Sequence, residues 1–575
     1  MFPLPGTAPT GRRCLSMQVI AFGGCLISGT AAMGQQVSAP VVRPAVSSTS
    51  TPHTFRALSA KQAVTPPWQP GDLVRLRSDL KHTSKVEAAR EGNLDPLLLT
   101  PAVLGPSGPQ PNIKSFDGIN ARQGGGWSPP DISGAVGPDD YIQMVNTAIA
   151  AYQKDGTVRW GPIPINLLWK GSGGSAPPES CKKKCETANT GDPVVRHDRL
   201  ANRWLVSQFT YPEANCMCMA ISKGPKPSQS EWHLYAFDTV TPTGDSVTPD
   251  YPKIGVWPDG YYMGTQRGFP DDGVDVWVFE RSKMLAGQPA RQVQFSIAPP
   301  SLFPMPSDLD GVPPPQGAPN VFMRHVDGGL WGGDDRLELF EFAVNWNDPA
   351  ASTFKLVSSL QTAPFEAVLC GDKFGGFCAP QPGTAQKLET LPAWLMWRAQ
   401  YRNSGRYQTL VANHTVNADG KGRAGIRWYE LRKESSGGNW TIYQQGTHSP
   451  DAAHRFMGSI AMDQGGNIAL GYSVSSDVVF PSIRVATRRP GDPLGTMAQG
   501  EITLLTGAGA QIGESRWGDY TTMDVDPTVP CTFWYTNMYY EANPSKGDWR
   551  TRIIRFQIPG CSGTQAAQKT QARPK

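Results

Sequence analysis

Apolar and polar residues alternate with a period of two in "RWGDYTTMDVDPTVPCTFWYTNMYY", Arg516 to Tyr540: Thr522, Asp524 and Asp526 fall on one face, Met523 and Val525 on the other. Past the turn at Pro527 to Pro530, the run Thr532 to Thr536 is β-branched and aromatic, so the segment predicts a β-hairpin. The same register recurs upstream, read as the position six residues before a polar turn. It falls at Asp131 in "PPDISGAVGPDDYIQMVN", Asp192 in "GDPVVRHDRLANRWLVSQ", Tyr251 in "DYPKIGVWPDGYYMGTQ", Met457 in "HRFMGSIAMDQGGNIALGYS" and Tyr520 in the opening stretch. Successive positions lie about sixty residues apart, and the gap from 251 to 457 has room for two more units, around Asn320 to Asp327 and Trp397 to Ala412.

Each unit also carries a later alternating strand: "AIAAYQKDG", "WHLYAFDT", "VDVWVFERSK", "DRLELFEFAVNW", "GIRWYELRK", "PSIRVATRR" and "RTRIIRFQIP". Units of about four short strands at even spacing predict an all-β fold, a β-propeller of seven blades with six as the alternative. The last unit lacks an outermost strand, and "NIKSF" at Asn112 to Phe116 precedes the first, so the N-terminal piece is expected to close the ring and remove both sheet edges.

Composition agrees, with 61 Gly and 53 Pro among 575 residues favouring short strands and turns over long helices. With 53 Lys+Arg against 49 Asp+Glu, charge is too evenly mixed for a nucleic-acid partner, and a monomer is expected. Arg12 and Arg13 precede an apolar run from Cys14 to Ile27, with Gly29, Ala31, Ala32 and Gly34 after it. That is an export signal over 1–34, too short and too broken by Gln18, Gly23 and Gly24 to anchor the chain, and it predicts a secreted protein, extracellular or periplasmic, with no membrane span after cleavage. Residues 35–110 read as a low-complexity leader without stable structure, 111–561 as the propeller, and 562–575 as a disordered tail.

Outside the signal the cysteines form an even set, Cys181, Cys185, Cys216, Cys218, Cys370, Cys378, Cys531 and Cys561. In an oxidising compartment they predict four disulfides: Cys370 with Cys378, Cys531 with Cys561, and the 181/185 pair bridged to the 216/218 pair in an order the spacing leaves open. Zinc held by the latter four thiols is the alternative, from whose usual CxxC spacing they depart.

The stretches "PPDISGAVGPDDYIQMVN", "GDPVVRHDRLANRWLVSQF", "FMGSIAMDQGGNIALGYS" and "RWGDYTTMDVDPTVPCTFWYTN" resemble the sialidase-like (neuraminidase-type) propellers of secreted bacterial proteins. The resemblance spans nearly all of 129–561 and implies a sialidase-like fold. True sialidases would add three carboxylate-binding arginines, a Tyr/Glu nucleophile pair and an Asp acid. First strands line the centre of a propeller, so Asp131, Asp192, Asp519 and Tyr520 are the catalytic candidates. Asp250, Tyr251, Arg398, His454, Arg455, Arg516 and Trp517 are expected to bind substrate near the rim. Carboxylates among arginines and tyrosines suit a glycosidase or polysaccharide lyase acting on a polysaccharide or glycoconjugate, with the arginines holding an acidic sugar. A non-catalytic propeller binding carbohydrate or a cell-surface protein is the other reading, and a third assigns Asp131, Asp192 and Asp519 to a Ca²⁺ ion. Each Asp also has a purely architectural role open to it, accepting backbone N–H groups from the next blade.

Overall fold

The computed structural model describes residues 36–45, 47–50, 74–75, 93–98, 112–558 and 561, apart from short loops at 212–214, 228, 242, 268–271, 300, 373 and 543–546. The signal and tail segments, 1–34 and 562–575, lie outside the described residues. No helix among those described is long and apolar enough to cross a membrane.

The protein is all-β, its longer strands falling into seven antiparallel groups. The first strands of the groups are Ser133–Val136, Val194–Asp198, Asp250–Val256, Met305–Gly311, Leu395–Asn403, His454–Met462 and Thr522–Val525. Each lies beside the next in chain order, and Thr522–Val525 lies beside Ser133–Val136, so the series closes on itself. The fourth and fifth groups join through parallel pairing of Met305–Gly311 with Leu395–Asn403. The seventh is completed by Lys114–Asp117 against Arg550–Gln557, as the sequence led us to expect, and Cys531–Cys561 ties the same group.

Apolar alternation produces this arrangement by burying one face of each group against the next. Ala135, Ile142 and Ile149 of the first group pack with Val206, Cys218 and Leu234 of the second, and Ala461 and Val485 of the sixth pack with Met523 and Phe533 of the seventh. First strands are buried on both faces, and their N–H groups find side chains on neighbouring first strands. Val195 N–H donates to Ser133 Oγ (3.0 Å), Val256 N–H to Asp308 Oδ1 (3.0 Å), Met523 N–H to Ser459 Oγ (2.8 Å) and Val136 N–H to Asp524 Oδ2 (3.1 Å). A Cβ on Gly255 would stand 2.2 Å from the Ser307 carbonyl oxygen, so glycine permits this approach.

The fourth group corrects the repeat register. Asn320–Val326 is its second strand, and the first is "MPSDLDG", whose Ser307, Asp308 and Asp310 break the apolar pattern because the aspartates face Arg398 and the Ser307 hydroxyl accepts the Val321 N–H. In the seventh group the register residue is Asp519, not Tyr520. Asp131, Asp192, Tyr251, Met457 and Asp519 all hold left-handed backbone, with φ of 46°, 44°, 52°, 52° and 47°.

Part of the stretch read as an unstructured leader is built into the fold. Val41–Pro44 adds a fifth strand to the third group and Ser47–Ser50 a fifth to the second. Asp95 is buried against Arg427, with oxygens 2.7 and 2.8 Å from Nη2. Edge pairing uses backbone groups, so it needs no apolar periodicity to occur. All four disulfides are present, and they settle the open order as Cys181–Cys216 and Cys185–Cys218, beside Cys370–Cys378.

Candidate functional site

Of the left-handed residues, Asp131, Asp192 and Asp519 stand two or three residues before their first strands, and Tyr251 and Met457 at register shifts early in theirs, so these residues gather at one end of the closed series. Aspartate tolerates this conformation better than most residues, whereas Tyr251 and Met457 adopt it at a cost of about 1–2 kcal/mol. Asn146 joins the first two positions: its Nδ2 donates to Asp131 Oδ2 (2.6 Å) and its Oδ1 accepts the Asp192 N–H (2.8 Å). Asp192 Oδ2 in turn accepts the Tyr251 N–H (2.9 Å), which is the architectural role open to these aspartates. Asp131 and Asp519 make no such backbone link.

Two residues along from Tyr251, Lys253 places its ammonium 3.4 Å from the centre of the Tyr251 ring and 3.7 Å from that of Tyr520. The rings meet edge to face at 5.8 Å, and cation–π attraction holds the amine against them. Arg516 bridges two carboxylates, with Nε 2.8 Å from Glu389 Oε2 and Nη2 2.5 Å from Asp519 Oδ2. Glu389 arrives from the connection 362–394 between the fourth and fifth groups. That connection carries the Cys370–Cys378 bridge and a small hairpin, Ala379–Gln381 with Thr384–Leu388. It is fastened by Glu389 N–H to Ser515 O (2.9 Å) and Gln511 N–H to Gln381 Oε1 (2.7 Å).

The cluster is dry. Asp131, Asp192, Lys253 and Asp519 are 2, 5, 2 and 7% exposed, and Glu389 is fully buried. Burial, then the charges of Asp519 and Asp192, push the Asp131 carboxyl well above its ordinary range. Burial followed by Asp250 and Asp519 pushes Asp192 up to about 7. Burial raises Glu389 to about 8 against the pull of Arg516, and burial lowers Lys253 to about 7 despite the surrounding carboxylates. Burial and the same aspartates raise the Tyr251 and Tyr520 phenols, which stay protonated. Asp519 Oδ1 and Glu389 Oε1 are buried with no hydrogen-bond partner, whereas the protonated Asp131 carboxyl is hydrogen-bonded to Asp192. Groups able to give and take protons near neutrality therefore share one water-poor site, as acid–base chemistry requires.

The structure brings together Asp131, Asp192, Asp519, Tyr520, Tyr251 and Arg516, with Asp250 close enough to raise Asp192. It sets the other expected ligands elsewhere. Arg398 is buried between Asp308 (3.2 Å), Asp310 (2.5 Å) and Asp524 (2.9 Å). Arg455 pairs with Glu501 (2.8 Å) and Asp451 (2.7 Å) inside the sixth group. His454 Nδ1 accepts the Ala424 N–H (3.2 Å), and burial holds its pKa near 4. Trp517 donates its indole N–H to Ser473 Oγ (3.0 Å). These side chains stand near the expected rim in sequence, but their partners, in their own strand group or in others, hold them away from the cluster.

Sequence reasoning missed Lys253, Glu389 and Asn146. Lys253 was findable, since it shares the face of Tyr251 in a strand whose other residues after Asp250 carry no charge. Glu389 carries no local signal, because its partner Arg516 is distant in the chain.

For calcium the donors do not fit. Among the described residues, the sets that bring three ligand atoms within 4.8 Å of one another are Cys181/Cys216/Asp238 and Asp463/Cys531/Cys561, whose sulfurs are consumed in disulfides. Asp131, Asp192 and Asp519 form no such set, and the Lys253 ammonium already lies among them.

The chain matches no protein-family model and no curated protein. Among solved structures it is similar to an endo-arabinase from Bacteroides thetaiotaomicron (12% identity, 53% of this chain and 95% of that chain, TM-score 0.27). It is also similar to an ulvan lyase from a new family of polysaccharide lyases (12%, 76% and 83%, 0.28). A third similarity is to an α-L-arabinofuranosidase from Lactobacillus brevis (10%, 64% and 91%, 0.28).

Proposed function

We propose that the protein is a secreted glycan-active enzyme, a glycoside hydrolase built on a seven-bladed propeller, working at the end where the first strands begin. The reading is carried by one observation: Asp131, which keeps its proton, and Asp519, one of whose carboxylate oxygens has no partner, share a buried site. Glycoside hydrolysis needs one carboxyl that holds its proton and one carboxylate that accepts or attacks. Asp131, whose proton is retained by burial and by its acidic neighbours, suits the acid that protonates the leaving oxygen. Asp519, ion-paired to Arg516 through its other oxygen, suits the second role. Asp192 and Lys253, in the same cluster, serve as proton carriers, and Tyr251 and Tyr520 hold the amine in place. Seven strand groups favour seven blades over six. A sialidase is disfavoured, and so is a lyase acting on uronates, because Arg398, Arg455 and Arg516 are each committed to two or more carboxylates. The four disulfides fit an oxidising compartment.

Burial of the cluster favours a second reading, a propeller that binds carbohydrate or a surface protein without turning it over. Reducing-end assays on a glycan panel, with binding and melting measured alongside, separate the two. Asp519→Asn is expected to lower turnover at least about a hundredfold, in the range of losing an acid–base partner, while glycan binding and fold persist. Binding without turnover in the native protein establishes the second reading.

A further inference from the structure

Asp131, Asp192, Lys253 and Asp519 are at most 7% exposed, so a glycan reaches them only if something that covers them moves. Two covering side chains come from the connection 362–394: Glu389 lies on Arg516 (2.8 Å), and the Trp394 ring lies 6.0 Å from that of Tyr251. This is the longest connection joining one group to the next, and loops of such length commonly carry binding or gating roles.

Its two sides are fastened differently. Toward the fourth and fifth groups, Arg427 donates to the carbonyls of Ala363 and Pro364 (both 3.0 Å), and Ala367 N–H donates to Asp327 Oδ2 (2.7 Å). Phe374 meets Trp394 at 6.1 Å, and Leu369 and Leu388 are buried in the same apolar cluster. Toward the sixth and seventh groups the fastenings are polar. Ser475 Oγ donates to Pro380 O (2.5 Å), Gln381 exchanges two hydrogen bonds with the Gln511 backbone (2.7 and 3.0 Å), and Gln386 donates to the Ser515 hydroxyl. Water can replace such bonds at small net cost, whereas exposed apolar surface finds no substitute. Leu391, at the exit of the connection, holds left-handed backbone at φ 44°, an outlier of the kind that clusters at switch segments.

Resting on the glycan reading, we infer that residues 368–390 are a lid, hinged on the fourth and fifth groups and latched to the segment 511–516, and that substrate enters when the latch parts. Opening lifts Glu389 from Arg516 and uncovers Asp519, which Arg516 still pairs. Closure then returns the cluster to its dry state around the bound sugar.

Hydrogen exchange on the intact protein, read at residue resolution, tests the lid without any substrate. The Glu389 and Gln511 amides, which donate across the latch, are expected to share one level of protection, at least about a hundredfold below that of the first-strand amides of Val195 and Val256. Gln381→Ala removes two latch bonds and should speed the Glu389 amide at least about fivefold, although Glu389 bonds to Ser515 and not to Gln381, while Val195 and Val256 stay unchanged. A Glu389 amide that exchanges only with the first strands, or that ignores Gln381→Ala, overturns the inference. The second arm joins Gln386→Cys to Ser515→Cys with a short bifunctional thiol reagent. On any glycan the native protein cleaves, joining is expected to cut turnover at least about a hundredfold from its value in the unjoined variant. Unchanged turnover after joining overturns the lid and leaves the glycan reading standing. A native protein that cleaves no glycan removes that reading, and the exchange result then decides the lid alone.

Discussion

Two buried charge clusters lie among the first strands, and they differ in their balance. The inner one sets Arg196, Arg199 and Arg398 against Asp308, Asp310 and Asp524, with Arg402 close by. Burial alone would raise Asp310, but Arg199, Arg398 and Arg402 outweigh it and hold the carboxyl below its ordinary value. The acidic one sets Asp131, Asp192, Asp519 and Glu389 against only Lys253 and Arg516, so burial and mutual repulsion push the Asp131 and Glu389 carboxyls above their ordinary range. Buried charge is tolerable when each group is paired and hydrogen-bonded, and otherwise the group keeps or gains a proton. The first cluster thus fastens neighbouring strands together, and the second stores proton affinity, which makes it suited to chemistry and poorly suited to holding the fold.

The comparison breaks most visibly at Arg398. Arg398→Met leaves three buried aspartates short of a partner and is expected to lower unfolding free energy by about 3–5 kcal/mol, read by denaturant titration. A loss below about 1 kcal/mol would remove the contrast between the clusters.

A pH series sharpens the comparison. Asp192 and Glu389 have folded pKa values raised to about 7 and about 8, so the folded state binds more protons than the unfolded state from about pH 4 upward. Their contribution is full below the unfolded values and is lost as pH rises through about 7 and about 8. Lys253, lowered to about 7, acts oppositely and adds stability from there toward about pH 10. Taken as the difference between the native protein and Glu389→Gln, in which the opposing rise from the buried histidines His197, His325 and His454 cancels, unfolding free energy is therefore expected to fall by at least about 1.4 kcal/mol between about pH 5 and pH 7.5, the worth of one pKa unit. Glu389→Gln should flatten that slope, whereas a slope unchanged in the variant would assign the protons elsewhere.

The smallest expected effect is at Asp131. Asp131→Asn relieves repulsion from Asp192 and Asp519 and should leave stability within about 1 kcal/mol of the native protein, or raise it, while turnover is lost. A large destabilisation, measured by the same denaturant titration, would make Asp131 a structural residue like Asp308.

The legible part of the site was the part repeated in the chain. Asp131, Asp192 and Asp519 could be found because each precedes a first strand at even spacing, and the register slipped by one residue to Tyr520 because the turn, not the strand start, was used to align it. Arg398 and Arg455 were misplaced because a sequence shows that an arginine is near a strand, not which carboxylate it meets.

The amino-acid sequence by itself determined most of the propeller strands, the closure by the N-terminal piece and the set of bridged cysteines, since alternation, turn residues and cysteine parity are local or countable properties. Tertiary structure alone decided which charges meet. Glu389 reaches Arg516 from a disulfide-closed connection, Lys253 reaches Tyr520 across the closed series, and "MPSDLDG" becomes a first strand only because arginines of the second and fifth groups neutralise it. Electrostatic pairing acts over distance in space, and spacing along the chain does not encode it.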